Sequence, residues 1–412
     1  MATGPPQVHQ FDPGYPVATH ARRIGSVINR LWTGHKPLVI AIPAITVVVL
    51  LVGSLLLVTA AGGTAHASPT PTATETASPS PSPSPTPTPY VAPTPTINTG
   101  PTPLPAGMSY ADLDGVLTSS SLAHRLPMAV MVDDNRVARP QSGISSASIV
   151  YQAYADGGED RYMMIFQEGT ATDIGPIRSV RPYYIYWADE YKAMLGHYGG
   201  DMQSLRKVIP ASANYIYNMD ALHQGSCPYH RTSLRVAPHN AYSNSGALIA
   251  CLTKKGYPTT YQKLPTRSFV DNTPTDQLPV AQTISIGYNT GTVGYQFNPA
   301  TDSYLRIIGG APEIDPANKH QVFASSIVVM YQVVTEDPSV EGGKHARRPN
   351  VHNVGSGKAT IFQEGKQIAA TWKKTSNTAL TRFYDASGHE IPLVRGEIFI
   401  QSIKTTDKVT VK

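Results

Sequence analysis

Arg178 and Arg181 stand three residues apart in "GPIRSVRPYYIYWADEY" (175–191), where a helix is about to begin. Two guanidiniums this close form a fork suited to carboxylate or phosphate. At a helix start they also oppose the dipole, whose free amides favour anions. Two arrangements relieve them: internal ion pairs with Asp133, Asp134 or Glu168, or a bound anion. Other residues in the same half could share such a site. Asp133, Glu168 and His197 are candidates for general acid or base, while Tyr198, Asp201, His239 and Asn240 are candidates for ligand contacts. His197 and Asp201, four apart across Gly199-Gly200, make a weak metal pair, and a structural role is the alternative. His223, His230 and His239 lie outside the usual zinc spacings. No metal and no cofactor is expected.

Several catalytic patterns fail on inspection. "SLRK" (204–207) has the Ser-x-x-Lys form and "SAN" (212–214) the Ser-x-Asn form of penicillin-binding enzymes. The second motif follows too closely, however, and no Lys-Thr-Gly follows it. "VGSGKAT" (354–360) ends like a phosphate loop, but His352 occupies the place of its first glycine.

The elements that must position these residues begin near Met108. "PMAVMVD" (127–133), "ASIVYQAYA" (147–155) and "RYMMIFQE" (161–168) read as buried strands, with Gly157-Gly158 as a hairpin turn between the last two. Pro182 is tolerated only in a first turn, so the helix after the arginines is expected to start near Ser179. "AMLGHYGG" then reads as a further strand, and this alternation predicts an α/β domain over 108–275. Beyond it, β-branched and aromatic runs separated by Asn-Thr-Gly, Glu-Gly and Ser-Gly turns predict a mainly antiparallel β domain over 281–412. The two are expected to fold as separate units, divided near residue 275. Cys227 and Cys251 are a disulfide candidate, closing a loop of about 25 residues worth about 3 kcal/mol, with unpaired thiols as the alternative.

The N-terminal quarter is different material. Residues 38–61 carry no charge over 24 residues, enough to cross a bilayer at about 1.5 Å each. Arg22, Arg23, Arg30 and Lys36 precede them, which predicts a cytoplasmic tail over 1–37, a single transmembrane helix over 38–61, and everything later outside. The alternative is a cleaved signal peptide, for which "AHAS" supplies small residues. Residues 62–107, rich in Pro, Ser and Thr, read as a disordered extended spacer. No cysteine near the apolar run offers a lipid attachment site. The formal charge of +5 falls away with this segment, since residues 108–412 hold 29 Lys/Arg and 26 Asp/Glu. Nucleic-acid binding therefore has no support in composition.

Taken together, "PMAVMVDDNRVARPQSGISSASIVYQAYADGGEDRYMMIFQEG", "IGPIRSVRPYYIYWADEYKAMLGHYGGD" and "APHNAYS" resemble the YerB-like bacterial lipoproteins, a family with a domain of unknown function. "GYQFNPATDSYLRIIGG" and "GSGKATIFQEGKQIAATWKK" resemble its C-terminal domain. The resemblance implies an α/β domain followed by a mostly β domain, held outside the membrane, with no established activity. Members carry a lipid on cysteine, and this chain departs from that pattern. Two functions stay open. One is binding of an anionic envelope polymer or partner protein through an Arg178/Arg181 pocket; the other is a hydrolase or transferase of wall glycan or phosphodiester using the same pocket.

Overall fold

Strands flanked on both faces read as unbroken apolar runs, and the runs of both halves enter one sheet. The computed structural model describes residues 103–412, apart from 226, 262, 274–277, 338–339, 342–343 and 346–347. The expected tail (1–37), transmembrane helix (38–61) and nearly all of the spacer (62–107) lie outside the described residues, as does the division near 275. No helix among the described residues is long and apolar enough to cross a membrane.

In chain order the elements used below are β1 (Met128–Asp133), β2 (Ile149–Tyr154), β3 (Asp160–Phe166), α1 (Pro182–Asp189), β4 (Met194–His197), β5 (Tyr217–Asp220) and α2 (Ser245–Lys254). They continue with β6 (Thr283–Tyr288), β7 (Gly291–Asn298), β8 (Ser303–Ile308), β9 (Ser326–Gln332), β10 (Gly355–Gln363), β11 (Lys366–Lys374), β12 (Arg382–Tyr384), β13 (Ile398–Lys404) and β14 (Val409–Val411). Ten strands form one sheet in the order β12-β11-β10-β9-β13-β2-β3-β1-β4-β5. Within it β9, β13 and β2 are parallel neighbours, as are β1, β4 and β5. A smaller antiparallel sheet runs β8-β7-β6-β14.

The large sheet joins what the sequence divides. β13 from the C-terminal half pairs with β2 from the N-terminal half, Ile398 opposite Ile149. Each apolar cluster likewise mixes the halves: Tyr184 and Trp187 of α1 share one with Ile361 and Ile400, and Val130 shares the other with Ile286 and Phe399. The expectation of two separately folded units is corrected, because alternate residues of the shared strands feed both cores. The fold is β-rich with few helices, and the α/β character of the first half is carried by α1, α2 and the parallel strands.

The helix after the arginines also begins later than expected. Pro182 is its first residue and Arg181 its extended N-cap, at φ −130°. Residues 178–180 cannot be helical because their main chain is already paired. Arg178 N–H donates to Met131 O (3.0 Å), Val180 N–H to Gly199 O (3.0 Å), and Arg178 O accepts from Tyr198 N–H (3.0 Å). The arginines therefore lie on an extended strip beside β1 and β4. Trp187 of α1 is fully buried and stacks on Tyr151 at 4.8 Å between centroids, which pins the helix to the sheet.

Candidate functional site

Parallel strands that end on one edge gather their last residues there, and this is where α/β sheets commonly hold ligands. β1, β4 and β5 end in Asp133, His197 and Asp220, with Asp160 and Arg161 at the start of antiparallel β3 on the same edge. Asp133 is fully buried, and its Oδ2 lies 3.1 Å from Arg178 Nε and accepts from His239 Nδ1 at 2.6 Å. Asn135 N–H donates to its Oδ1 at 3.0 Å. Arg178 continues to Glu159, 3.6 Å away. The outer partners of Asp133 reach water, with 19% of the Arg178 side chain and 18% of His239 exposed.

Arg181 is set deeper. It donates from Nε to Asp156 Oδ1 (2.8 Å), from Nη2 to Asp156 Oδ2, and from Nη1 to Val180 O (2.6 Å). Asp201 Oδ2 lies 3.8 Å from its Nε and Asp201 Oδ1 3.5 Å from Arg348 Nη1. Burial pushes the Asp156 carboxyl up, but the hydrogen bond and charge of Arg181, with Arg161 and Arg348 beyond, more than offset this and hold it below its ordinary value. Burial lowers the Arg161 guanidinium, and the neighbouring Arg181 and Arg178 charges add to the fall. In this cluster Arg178 and Arg181 spend their forks on carboxylates of the same chain.

The other expected residues divide. Tyr198 lies under Arg231, whose guanidinium carbon is 4.4 Å from the ring centroid, and Arg231 Nη1 donates to Asn240 Oδ1 at 2.6 Å. Tyr198, His239 and Asn240 thus collect on one loop-covered surface beside Asp133. His197 is on the neighbouring strand but fully buried; Nδ1 donates to Gly199 O (2.8 Å) and Nε2 lies 2.7 Å from the Asn218 amide. Both ring nitrogens are occupied, so a general-base role for His197 is not available in this arrangement. Glu168 is at the opposite edge, beyond the end of β3, where it accepts from Ser148 Oγ at 2.8 Å. The register Met128↔Phe166 against Asp133↔Arg161 separates it from Asp133 by the length of β1, about 17 Å at roughly 3.3 Å per residue. It does not belong to the site. Among the described residues no group of three or more His, Cys, Asp or Glu could hold a metal ion.

Asp156, Glu159, Arg161 and Asp220 were not expected, since nothing in local spacing shows which carboxylates a sheet edge will bring to an arginine. Asp220 closes the edge beside His197 and His223. Burial raises its carboxyl, while the His197 charge and a hydrogen bond from His223 (2.7 Å) more than compensate and lower it. Arg231 had a signal in the sequence. Residues 202–270 contain eight Lys/Arg and a single acid, Asp220. Within that stretch the loop between β5 and α2 carries His223, His230, Arg231, Arg235 and His239, and the Cys227–Cys251 disulfide ties it to α2. Leu234 and Val236 on the same loop are 82% and 84% exposed.

Residues 113–258 match the family described as "Protein of unknown function (DUF3048) N-terminal domain", and residues 284–400 match its C-terminal domain. The chain belongs to this YerB-like family. It is 26% identical over 310 residues to "Putative lipoprotein YerB" of Bacillus subtilis (strain 168), covering 73% of this chain and 88% of the relative. A crystal structure of YerB protein from Bacillus subtilis superposes with a TM-score of 0.63 at 24% identity, over 73% of this chain and 99% of that one. The likeness to that structure is one of fold.

Proposed function

We propose that this member of the family is a membrane-anchored, extracytoplasmic protein that binds an anionic envelope polymer or the acidic surface of a partner. The observation that carries the reading is Arg231: exposed, stacked on Tyr198, oriented by Asn240, and part of a loop with five basic or histidine side chains and no acid. A guanidinium fixed on an aromatic face is pre-organised for carboxylate or phosphate. Behind it the Arg178–Asp133–His239 and Arg181–Asp156 pairs act as the frame of the site. The lipoprotein relative supports a cell-surface setting. The uncharged run at 38–61 is long enough to serve as the anchor. The test is retention of the full-length protein on immobilised polyphosphate and polyglutamate across a salt gradient. Binding that weakens with salt and is lost in Arg231→Ala/Arg235→Ala supports the reading; retention untouched by those substitutions overturns it.

A specific feature favours hydrolysis as a second reading. His239 turns Nδ1 to buried Asp133, and among the described residues nothing engages its Nε2, which is the way an aspartate orients a general base. In that reading His239 activates water against a phosphodiester or glycan ester held at Arg231. Turnover of bis-p-nitrophenyl phosphate by the wild type and none by His239→Gln would favour it; equal rates would dismiss it.

A further inference from the structure

The large sheet splits at one point on the edge that also carries Asp133. β9 pairs with β10 only over Ser326–Met330 against Ala359–Gln363, whereas β10 pairs with β11 along its whole length from Gly355. Beyond Met330 the strand stays with β13 as far as Gln332 but no longer pairs with β10, and Val334–Glu336 pair with Pro349–Val351 instead. Residues 355–358 are therefore laddered on one side only; among the described residues no strand takes the other side. The fork opens a cleft of about 470 Å³ lined by Tyr331, Val333, His352, Val354, Lys358 and Trp372 together with the Gly355–Gly357 main chain. That volume lies within the range of about 300–1,000 Å³ usual for ligand sites.

The residue types suit a main-chain ligand. Gly355 has open space where a Cβ would stand, while one face of Gly357 is covered, so that a Cβ there would come within 2.7 Å of Trp372 Nε1 and 3.1 Å of Tyr331 O. Trp372 Nε1 is itself fixed, donating to Tyr331 O at 3.1 Å. The walls are apolar at Val333 and Val354, which are 55% and 42% exposed. Asp407 also lines the cleft, but its carboxylate is engaged by the Tyr154 hydroxyl and Lys404 N–H, while exposed Lys358 rests its ammonium 4.9 Å above the Tyr331 ring. A half-laddered strand offers N–H and C=O groups to another chain, and side-chain pockets on alternate sides select it.

We infer that this fork binds an extended peptide carrying a carboxylate, taken up as a short added strand along residues 355–358 with its acid against Lys358. The site is independent of Arg231 and of the reading built on it. The test titrates full-length protein by calorimetry with the peptide Ac-Val-Glu-Val-Glu-NH2, its Val-Lys-Val-Lys counterpart, an N-methylated copy of the acidic peptide, and free glutamate. Saturable binding of the acidic peptide is expected, with slower hydrogen exchange of the 355–358 amides. Lys358→Glu should weaken it about fivefold, as loss of one surface ion pair and its replacement by a repulsion require. N-methylation should abolish binding by removing the ladder donors. No binding, binding unaffected by both Lys358→Glu and N-methylation, or glutamate binding as well as the peptide would each overturn the inference. Arg231→Ala is the control, and a loss of peptide binding there would move the site away from the fork.

Discussion

Asp133 and Asp134 are neighbours in the chain, yet they serve opposite sides of the large sheet. Asp133 meets Arg178 and His239, which reach water. Asp134 accepts from Arg139 (2.9 Å) and from Gln152 Nε2 (2.9 Å), in a region that also holds Arg306. Arg306 is completely buried between the two sheets. It is 3.0 Å from Glu313, donates to Gln152 Oε1 (3.1 Å) and the Tyr162 hydroxyl (2.8 Å), and lies 4.9 Å from the Phe399 ring centroid. Both regions pair arginine with carboxylate and both touch water at one arginine, since 16% of the Arg139 side chain is exposed, but the second also encloses the buried Arg306–Glu313 pair. The difference teaches that an ion pair alone does not mark a site. What separates the two regions is how far the paired groups lie from water: Arg178 and His239 keep 19% and 18% of their side chains exposed, whereas Arg306 has none.

The sharpest way to break this contrast is to remove the cation from the closed region. Arg306→Met leaves Glu313 buried without its charge partner and should cost about 3–5 kcal/mol of unfolding free energy. Arg306→Met/Glu313→Leu should recover most of that, since a buried pair replaced by apolar residues is often close to neutral. Urea unfolding of the two variants measures it. A loss below about 1 kcal/mol for the single variant would mean that water reaches Arg306 and that the two regions do not differ.

The closed region also predicts a pH dependence. Burial raises the Asp160 carboxyl to about 7, and hydrogen bonds from Thr290 N–H and Oγ1 only partly hold it down. Its Oδ1 is buried without a hydrogen-bond partner, which suits the protonated form. An unfolded aspartate titrates near 4, so the fold prefers the neutral acid. The stability this group contributes is complete below about pH 4 and is lost as pH rises through about 7. Relative to Asp160→Asn, the wild type should therefore lose about 2–4 kcal/mol between pH 4 and pH 8, the equivalent of roughly two to three pKa units. A constant difference across that window would sink the prediction.

How far these regions could be read in the sequence follows from what local pattern encodes. The strands 127–133, 147–155 and 161–168 and the Gly157-Gly158 hairpin were legible, because an apolar run bounded by glycine needs no distant partner to be recognised. The joining of β2 to β13 was not, since about 250 residues separate Ile149 from Ile398 and no periodicity records which strands share a sheet. Arg178 with Asp133 was legible as a pair of types; Asp156 and Glu159 as their partners were not. Pro182 does lie in the first turn of α1, as its ring requires, but the helix starts at Pro182 and not near Ser179, because the main chain of 178–180 is committed to β1 and the 198–200 strip. Arg231 stands out only locally, in the acid-free stretch 221–244, because over residues 108–412 the charges nearly cancel.

In the open region the expected losses are smaller. Arg181 holds Asp156 with two nitrogens of one fork, and lysine keeps its charge but not that geometry. Arg181→Lys should cost about 1–2 kcal/mol in thermal unfolding, the scale of one charge-assisted hydrogen bond. A cost as large as that of Arg306→Met would place Arg181 with the closed frame.

The smallest structural effect, and the one that most sharpens the contrast, belongs to Arg231. It is exposed, and its contacts are the Tyr198 face and the Asn240 amide. Arg231→Ala should change stability by less than about 0.5 kcal/mol, as surface substitutions usually do. If the outermost group of the open region is what meets a ligand, the same change should weaken retention on polyglutamate or polyphosphate about tenfold, the loss of one oriented guanidinium contact. Arg231→Lys should recover part of the retention through charge, but not the part that depends on stacking over Tyr198 and on the bond to Asn240. Melting temperature and the salt at half-elution, measured on the same three proteins, separate the outcomes. A variant that melts normally and elutes normally would leave the open region as frame throughout, and the distinction between the two faces of the sheet would then carry no function.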